Sequence, residues 1–131
     1  TPQLLEAFLQ PLIDAGVDVF HCSQRRFWEP EFEDSDMNLA GWVKKLTGMP
    51  TITVGSVSLD QDFVSQPTEG DGSTSEPASI DRLLEMLDRG DFDLVAVGRS
   101  LIANPDWPKV VRAGDTAGLQ AYSKDLLANL E

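Results

Sequence analysis

Thr51-Ile52-Thr53-Val54-Gly55-Ser56 and Phe92-Asp93-Leu94-Val95-Ala96-Val97-Gly98-Arg99 decide the fold. Each is a short run rich in β-branched residues that stops at a glycine followed by a polar residue. A helical stretch lies between them, which is the βαβ pattern of a parallel sheet. Glycine lets a backbone N–H come close to a ligand. Ser56 adds a hydroxyl, and Arg99 adds a planar guanidinium fork suited to a phosphate. In (β/α)8 barrels the loops after the last two strands commonly form a phosphate site with a short extra helix. The two runs are therefore expected to be the seventh and eighth strands of such a barrel.

Upstream, Leu4, Leu5, Phe8, Leu9, Leu12 and Ile13 fall at helical spacing, with Pro11 expected to kink or divide the helix. Gly16 ends that pattern, and Val17-Asp18-Val19-Phe20-His21 reads as a strand. A polar, aromatic-rich loop follows from Ser23 to about Asp36. Asn38 is a candidate cap for a helix through Leu39, Trp42, Val43 and Leu46, which Gly48 and Pro50 stop. Downstream, Glu69-Gly70-Asp71-Gly72-Ser73-Thr74-Ser75-Glu76 marks a flexible insert over about 65–77. Ser79 then looks like the cap of a helix through Ile80, Leu83, Leu84 and Leu87, closed by Gly90. Residues 100–103 read as a short helix, and Asn104-Pro105 as the cap and first residue of another. A last helix is expected from Thr116 to Leu130, with Leu119, Tyr122, Leu126 and Leu127 on its face.

This order places the chain in the α/β class. Residues 1–131 read as the C-terminal portion of a TIM (β/α)8 barrel, about three parallel strands with flanking helices, strands 6 to 8. A sheet of that width leaves two open edges and an uncovered apolar face. The expected partner is accordingly the missing N-terminal part of the barrel or another copy of the chain.

The 131 residues carry 10 Lys+Arg against 22 Asp+Glu, a net charge of -12. So acidic a chain repels nucleic acid and anionic membrane, and neither is expected as a partner. No apolar run approaches the ~20 residues of a membrane span, and no basic-then-apolar leader opens the chain. A cytoplasmic location is the simplest expectation. Cys22 is the one cysteine, so no internal disulfide forms, and with His21 alone it makes no zinc site. Glu29, Glu31, Glu33, Asp34 and Asp36 lack a metal-ligand pattern and read as a solvated face, so no metal is expected.

Val17–Ser23, Arg26-Phe27-Trp28-Glu29-Pro30, Thr51–Val57, Phe92–Arg99 and the tail Leu101-Ile102-Ala103-Asn104-Pro105-Asp106-Trp107 occur in an order that resembles the NADH:flavin oxidoreductases of the Old Yellow Enzyme type. The likeness covers nearly the whole chain but only the C-terminal part of that family's barrel. It implies an FMN flavoprotein that takes hydride from NAD(P)H and reduces an activated alkene or similar small molecule. By position, Gly55, Ser56, Gly98 and Arg99 would hold the FMN phosphate. The family's substrate-facing donors come from earlier strands. No catalytic residue is therefore expected in this chain, and alone it is not expected to be competent. Arg26, Phe27 and Trp28 follow a barrel strand, where functional loops sit, and are candidates to shield the flavin or line the substrate pocket. Packing against neighbouring loops is the plain alternative for both aromatics. His21 ends a strand and can reach the barrel mouth, or be a structural histidine. Two other readings stay open: a phosphate-binding barrel isomerase or aldolase fragment, and a non-catalytic flavin-binding module.

Overall fold

The computed structural model describes residues 1–60 and 74–129, and divides them into two compact units. The first comprises Thr1–Gly55 and Asp81–Ala96. It opens with helix α1, Pro2–Asp14, where the Thr1 hydroxyl accepts from the Leu4 N–H at 3.3 Å and Pro2 occupies the first turn. Pro11 lies inside α1 without dividing it.

Strand β1 is Phe20–Ser23, later than the Val17–His21 pattern indicates. Its pairing decides the difference: the Phe20 N–H reaches the Pro50 carbonyl, and register then runs Phe20 to Thr51 through Ser23 to Val54. Helix α2, Leu39–Thr47, starts at the Asn38 cap and stops at Gly48, which takes the left-handed conformation. Strand β2 is Thr51–Val54, helix α3 is Asp81–Asp88, and strand β3 is only Leu94–Val95. The three strands are parallel in the order β1-β2-β3. The chain is thus α/β, with a three-stranded parallel sheet and flanking helices.

The sheet has two unlike faces. Phe20, Cys22, Thr51 and Thr53 are buried, and α2 packs against β1 and β2. On the opposite face His21 and Ser23 are exposed, Ile52 and Val54 are half-buried, and Leu94, the register partner of Ile52, is 56% exposed. Helix α1 also carries exposed apolar side chains at helical spacing, Leu4 at 70% and Phe8 at 67%. No helix among the described residues is long and apolar enough to cross a membrane.

The second unit comprises Ser56–Ile80 and Val97–Glu131. Of the expected insert, residues 65–73 lie outside the described residues. Its end returns through two antiparallel bridges, Leu59 with Pro77 and Ser75 with Tyr122. Helix α4 is Arg99–Ala103 and helix α5 is Trp107–Ala113, closed by left-handed Gly114. Asp106, rather than Asn104, stands at the cap position of α5. Asn104 instead pairs with Gln120 in both directions, accepting at 2.7 Å and donating at 3.0 Å. Among the described residues the long helix expected over 116–130 does not form. Short 3-10 turns form at Thr116–Gly118 and Lys124–Asn129. The reason is tertiary: Tyr122 spends both its N–H and its carbonyl on Ser75, which a continuous helix would forbid.

Candidate functional site

The second unit gathers its polar side chains around Arg99. Ser56 leaves the end of β2 with φ +50°, a left-handed conformation uncommon for a residue with a Cβ. Its side chain is largely buried, and its hydroxyl accepts from Arg99 Nη2 at 3.2 Å. Arg99 Nη1 donates to the Ser75 hydroxyl at 2.8 Å. The guanidinium carbon lies 5.7 Å from the centre of the Tyr122 ring, within cation–π range. Ser75 and Tyr122 are each 1% exposed. Below them, the Ser100 hydroxyl donates to the Val57 carbonyl at 2.6 Å, fixing the start of α4 on the segment after Ser56. A guanidinium and two hydroxyls make a donor set that suits a phosphate monoester.

Gly98 immediately precedes α4, with φ -105°. A Cβ there would meet no atom within 4 Å. Gly98 is therefore not required by packing, and its backbone can be approached closely.

Gly55 belongs to the first unit and is a different kind of glycine. Its φ is +149°, and a Cβ would come within 2.5 Å of the Gln24 carbonyl oxygen and 3.0 Å of the Phe27 nitrogen. The close approach is to the protein's own loop. The Phe27 N–H donates to the Gly55 carbonyl at 3.0 Å, and the Gln24 N–H donates to the Val54 carbonyl at 3.1 Å. Asn38 secures the same loop. Its Nδ2 donates to the Phe27 carbonyl at 2.9 Å and to the Thr53 hydroxyl at 3.0 Å, while its Oδ1 accepts from Gly41. Thus Phe27, at 2% exposed, is a core side chain of this unit. Trp28 is half-buried and meets Phe27 edge-on, with centroids 5.1 Å apart. Arg26 Nη1 pairs with Glu29 Oε1 at 2.6 Å.

His21 is exposed on the open face of β1. Cys22 is buried, and loss of solvent pushes its thiol pKa up to about 11. Asp36, from the acidic loop, receives Arg89 at 2.6 Å and Arg82 at 3.2 Å. Those hydrogen bonds, Arg89 first, hold its carboxyl below the usual carboxylate range. Among the described residues no group of three His, Cys, Asp or Glu side chains is placed to hold a metal.

Sequence reasoning selected Ser56 and Arg99, and the structure brings them together. It did not select Ser75 or Tyr122. Ser75 lay in a stretch whose composition said only "turn", and Tyr122 fitted a helical stripe. No local signal marks their pairing.

No family model matches the chain. It is 31% identical over 111 residues to a protein named "NADH oxidase" from Thermoanaerobacter brockii, an alignment taking in 79% of this chain. The chain spans 14% of the length of that relative.

Proposed function

We propose that this chain is the C-terminal portion of the (β/α)8 barrel of an FMN-dependent NAD(P)H oxidoreductase of the Old Yellow Enzyme type, and that it supplies the phosphate-binding corner for the flavin. The observation that carries the reading is the 3.2 Å hydrogen bond from Arg99 to Ser56. These are the polar residues that follow the two strand-end glycines, and each motif alone is nonspecific. Their meeting makes one anion-binding cluster. The similarity to a protein named NADH oxidase supports a redox role over a barrel isomerase or aldolase.

Flavin, when bound, carries the hydride chemistry. This chain's share is binding and orientation. Arg99 offers charge and a planar fork to the phosphate, Ser56 offers a rotatable hydroxyl, and Gly98 leaves its backbone open to a close oxygen. Gly55 fixes the end of β2 from which Ser56 departs. The missing N-terminal part of the barrel is the proposed partner, and the substrate-facing groups belong to it. The uncovered Ile52, Val54 and Leu94 face supports that proposal.

The test is flavin titration of the complete protein. Arg99→Ala should weaken FMN by about tenfold or more, the size of a lost charge-assisted contact. Arg112→Ala, an exposed cation on α5, should leave FMN affinity unchanged. Equal affinities for the two variants would remove Arg99 from the site. A colourless protein that binds sugar phosphates would favour the isomerase or aldolase reading instead.

A further inference from the structure

We infer that Ser75 and Tyr122 are positioning residues for Arg99, so that the return of the insert sets how tightly the phosphate end of the ligand is held. The inference rests on the reading of Arg99 as the phosphate-contacting cation. An arginine side chain has much rotamer entropy to lose when it is ordered. An ordered fork has lost that freedom before the ligand arrives, and so binds more tightly. The structure supplies the ordering from both sides. Ser75 Oγ accepts from Nη1, Ser56 Oγ accepts from Nη2, and the Tyr122 ring lies against the guanidinium. Each serine hydroxyl takes one N–H of the guanidinium, so the fork is gripped at both of its terminal nitrogens.

The positioning groups are themselves fixed. The Ser75 N–H donates to the Tyr122 carbonyl at 3.0 Å, and the Tyr122 N–H donates to the Ser75 carbonyl at 3.0 Å. Flanking bonds hold the strap in register: Asp60 N–H to the Glu76 carbonyl at 3.1 Å, and Ala78 N–H to the Ser58 carbonyl at 2.9 Å. Both side chains are almost wholly buried, so neither hydroxyl nor ring is in place merely to meet solvent.

The experiment compares FMN with riboflavin, which lacks the phosphate, on the wild type, Ser75→Ala, Ser75→Cys, Tyr122→Leu and Tyr122→Phe. Phenylglyoxal labelling of Arg99, read by peptide mass spectrometry against Arg112 as internal reference, is followed on the same proteins without flavin. Ser75→Ala and Tyr122→Leu should lower the FMN-to-riboflavin affinity ratio by about tenfold. They should raise the Arg99 labelling rate severalfold, with riboflavin affinity unchanged. Tyr122→Phe keeps the ring and should behave as wild type. Ser75→Cys, nearly isosteric but a weak acceptor, should follow Ser75→Ala and serves if the alanine variant fails to fold. An unchanged ratio in a protein that binds FMN overturns the positioning role and leaves the flavin reading intact. If the wild type binds no flavin, the flavin reading falls. The labelling rates then decide alone, and unchanged Arg99 labelling across the variants overturns the inference.

Discussion

Replacing Gly55 and Gly98 one at a time by alanine separates two glycines that look equivalent in the sequence. At Gly55 the new methyl carbon would stand 2.5 Å from the Gln24 carbonyl oxygen and 3.1 Å from its carbon, both backbone atoms that cannot swing aside. The φ of +149° is also one that a residue with a Cβ rarely adopts. Holding alanine there costs about 1–3 kcal/mol. Moving the loop to relieve the clash breaks the Phe27-to-Gly55 and Gln24-to-Val54 hydrogen bonds, each worth about 1 kcal/mol net. Together these give about 3–5 kcal/mol. That is a large share of the ~5–15 kcal/mol by which a domain is stable. The melting temperature should fall by about 10–20 °C. At Gly98 the methyl meets no described atom within 4 Å, so the clash that penalises Gly55→Ala is absent and the loss of stability should be the smaller of the two.

Thermal and urea melts followed by circular dichroism measure both effects. Flavin titration then adds the functional half. If the proposed flavin site is right, Gly98→Ala should weaken FMN while costing less stability than Gly55→Ala, because its methyl would take up space beside the backbone that the proposal gives to a phosphate oxygen. Gly55→Ala melting with the wild type would refute the packing of residues 24–27 on the end of β2. Gly98→Ala binding FMN normally would refute a close backbone contact at that position.

Three further outcomes are expected. Asn38→Ala should cost about 2–4 kcal/mol in urea melts, because it deletes a helix cap and strands the buried Phe27 carbonyl; a loss under 1 kcal/mol would mean that water replaces the amide. The Asp93 carboxyl is held below its ordinary range, by the Lys44 ammonium at 2.9 Å first and the Thr51 N–H at 2.9 Å second. A depressed folded-state value favours folding in full above the unfolded value near about 4, and fades as pH falls through the folded value. The stability gap between wild type and Asp93→Asn should therefore shrink in acid, and a gap constant down to low pH would count against the pairing. The Cys22 thiol, pushed up to about 11 and buried, should react with a disulfide reagent at neutral pH only as the protein unfolds; prompt labelling of the native protein would show that the Cys22 face of β1 is open to solvent.

The turn chemistry and the apolar periods made much of the first unit legible. Asn38, Gly48 and the Thr51–Val54 run all do in the structure what their residue types dictate. Boundaries were harder where pairing overrides pattern. Val17 and Val19 are β-branched, yet β1 begins at Phe20, because register against β2 starts at Thr51. The Asp36 contacts to Arg82 and Arg89 join a loop to residues far along the chain, and no local pattern announces such a partner. In the second unit, helical spacing around Tyr122 was real in the sequence and irrelevant in the fold, since the Ser75 bridge claims that backbone. Ser56 and Arg99 could be found because glycine punctuates them. Ser75 could not, because only tertiary structure brings it to Arg99.

The two faces of the sheet argue for what lies beyond it. In a domain of one sheet and one helical layer, the apolar face should turn toward the helices and the polar face toward water. Strand β2 does the reverse. Thr51 and Thr53 are fully buried on the face that α2 covers, where Thr53 takes a hydrogen bond from Asn38 and the Thr51 hydroxyl has no partner among the described residues. Ile52 and Val54 point to the other side, beside Leu94. Leaving a buried hydroxyl unpaired costs about 1–3 kcal/mol. A strand that accepts this cost beneath its helix while offering isoleucine, valine and leucine to the opposite face is patterned for burial on both sides. Parallel strands with both faces covered occur in barrels and doubly wound sheets. The branched side chains on the uncovered face are the kind that fill a barrel interior. The threonine face, rather than the apolar one, is thus the stronger support for the proposal that this three-stranded sheet is part of a larger barrel.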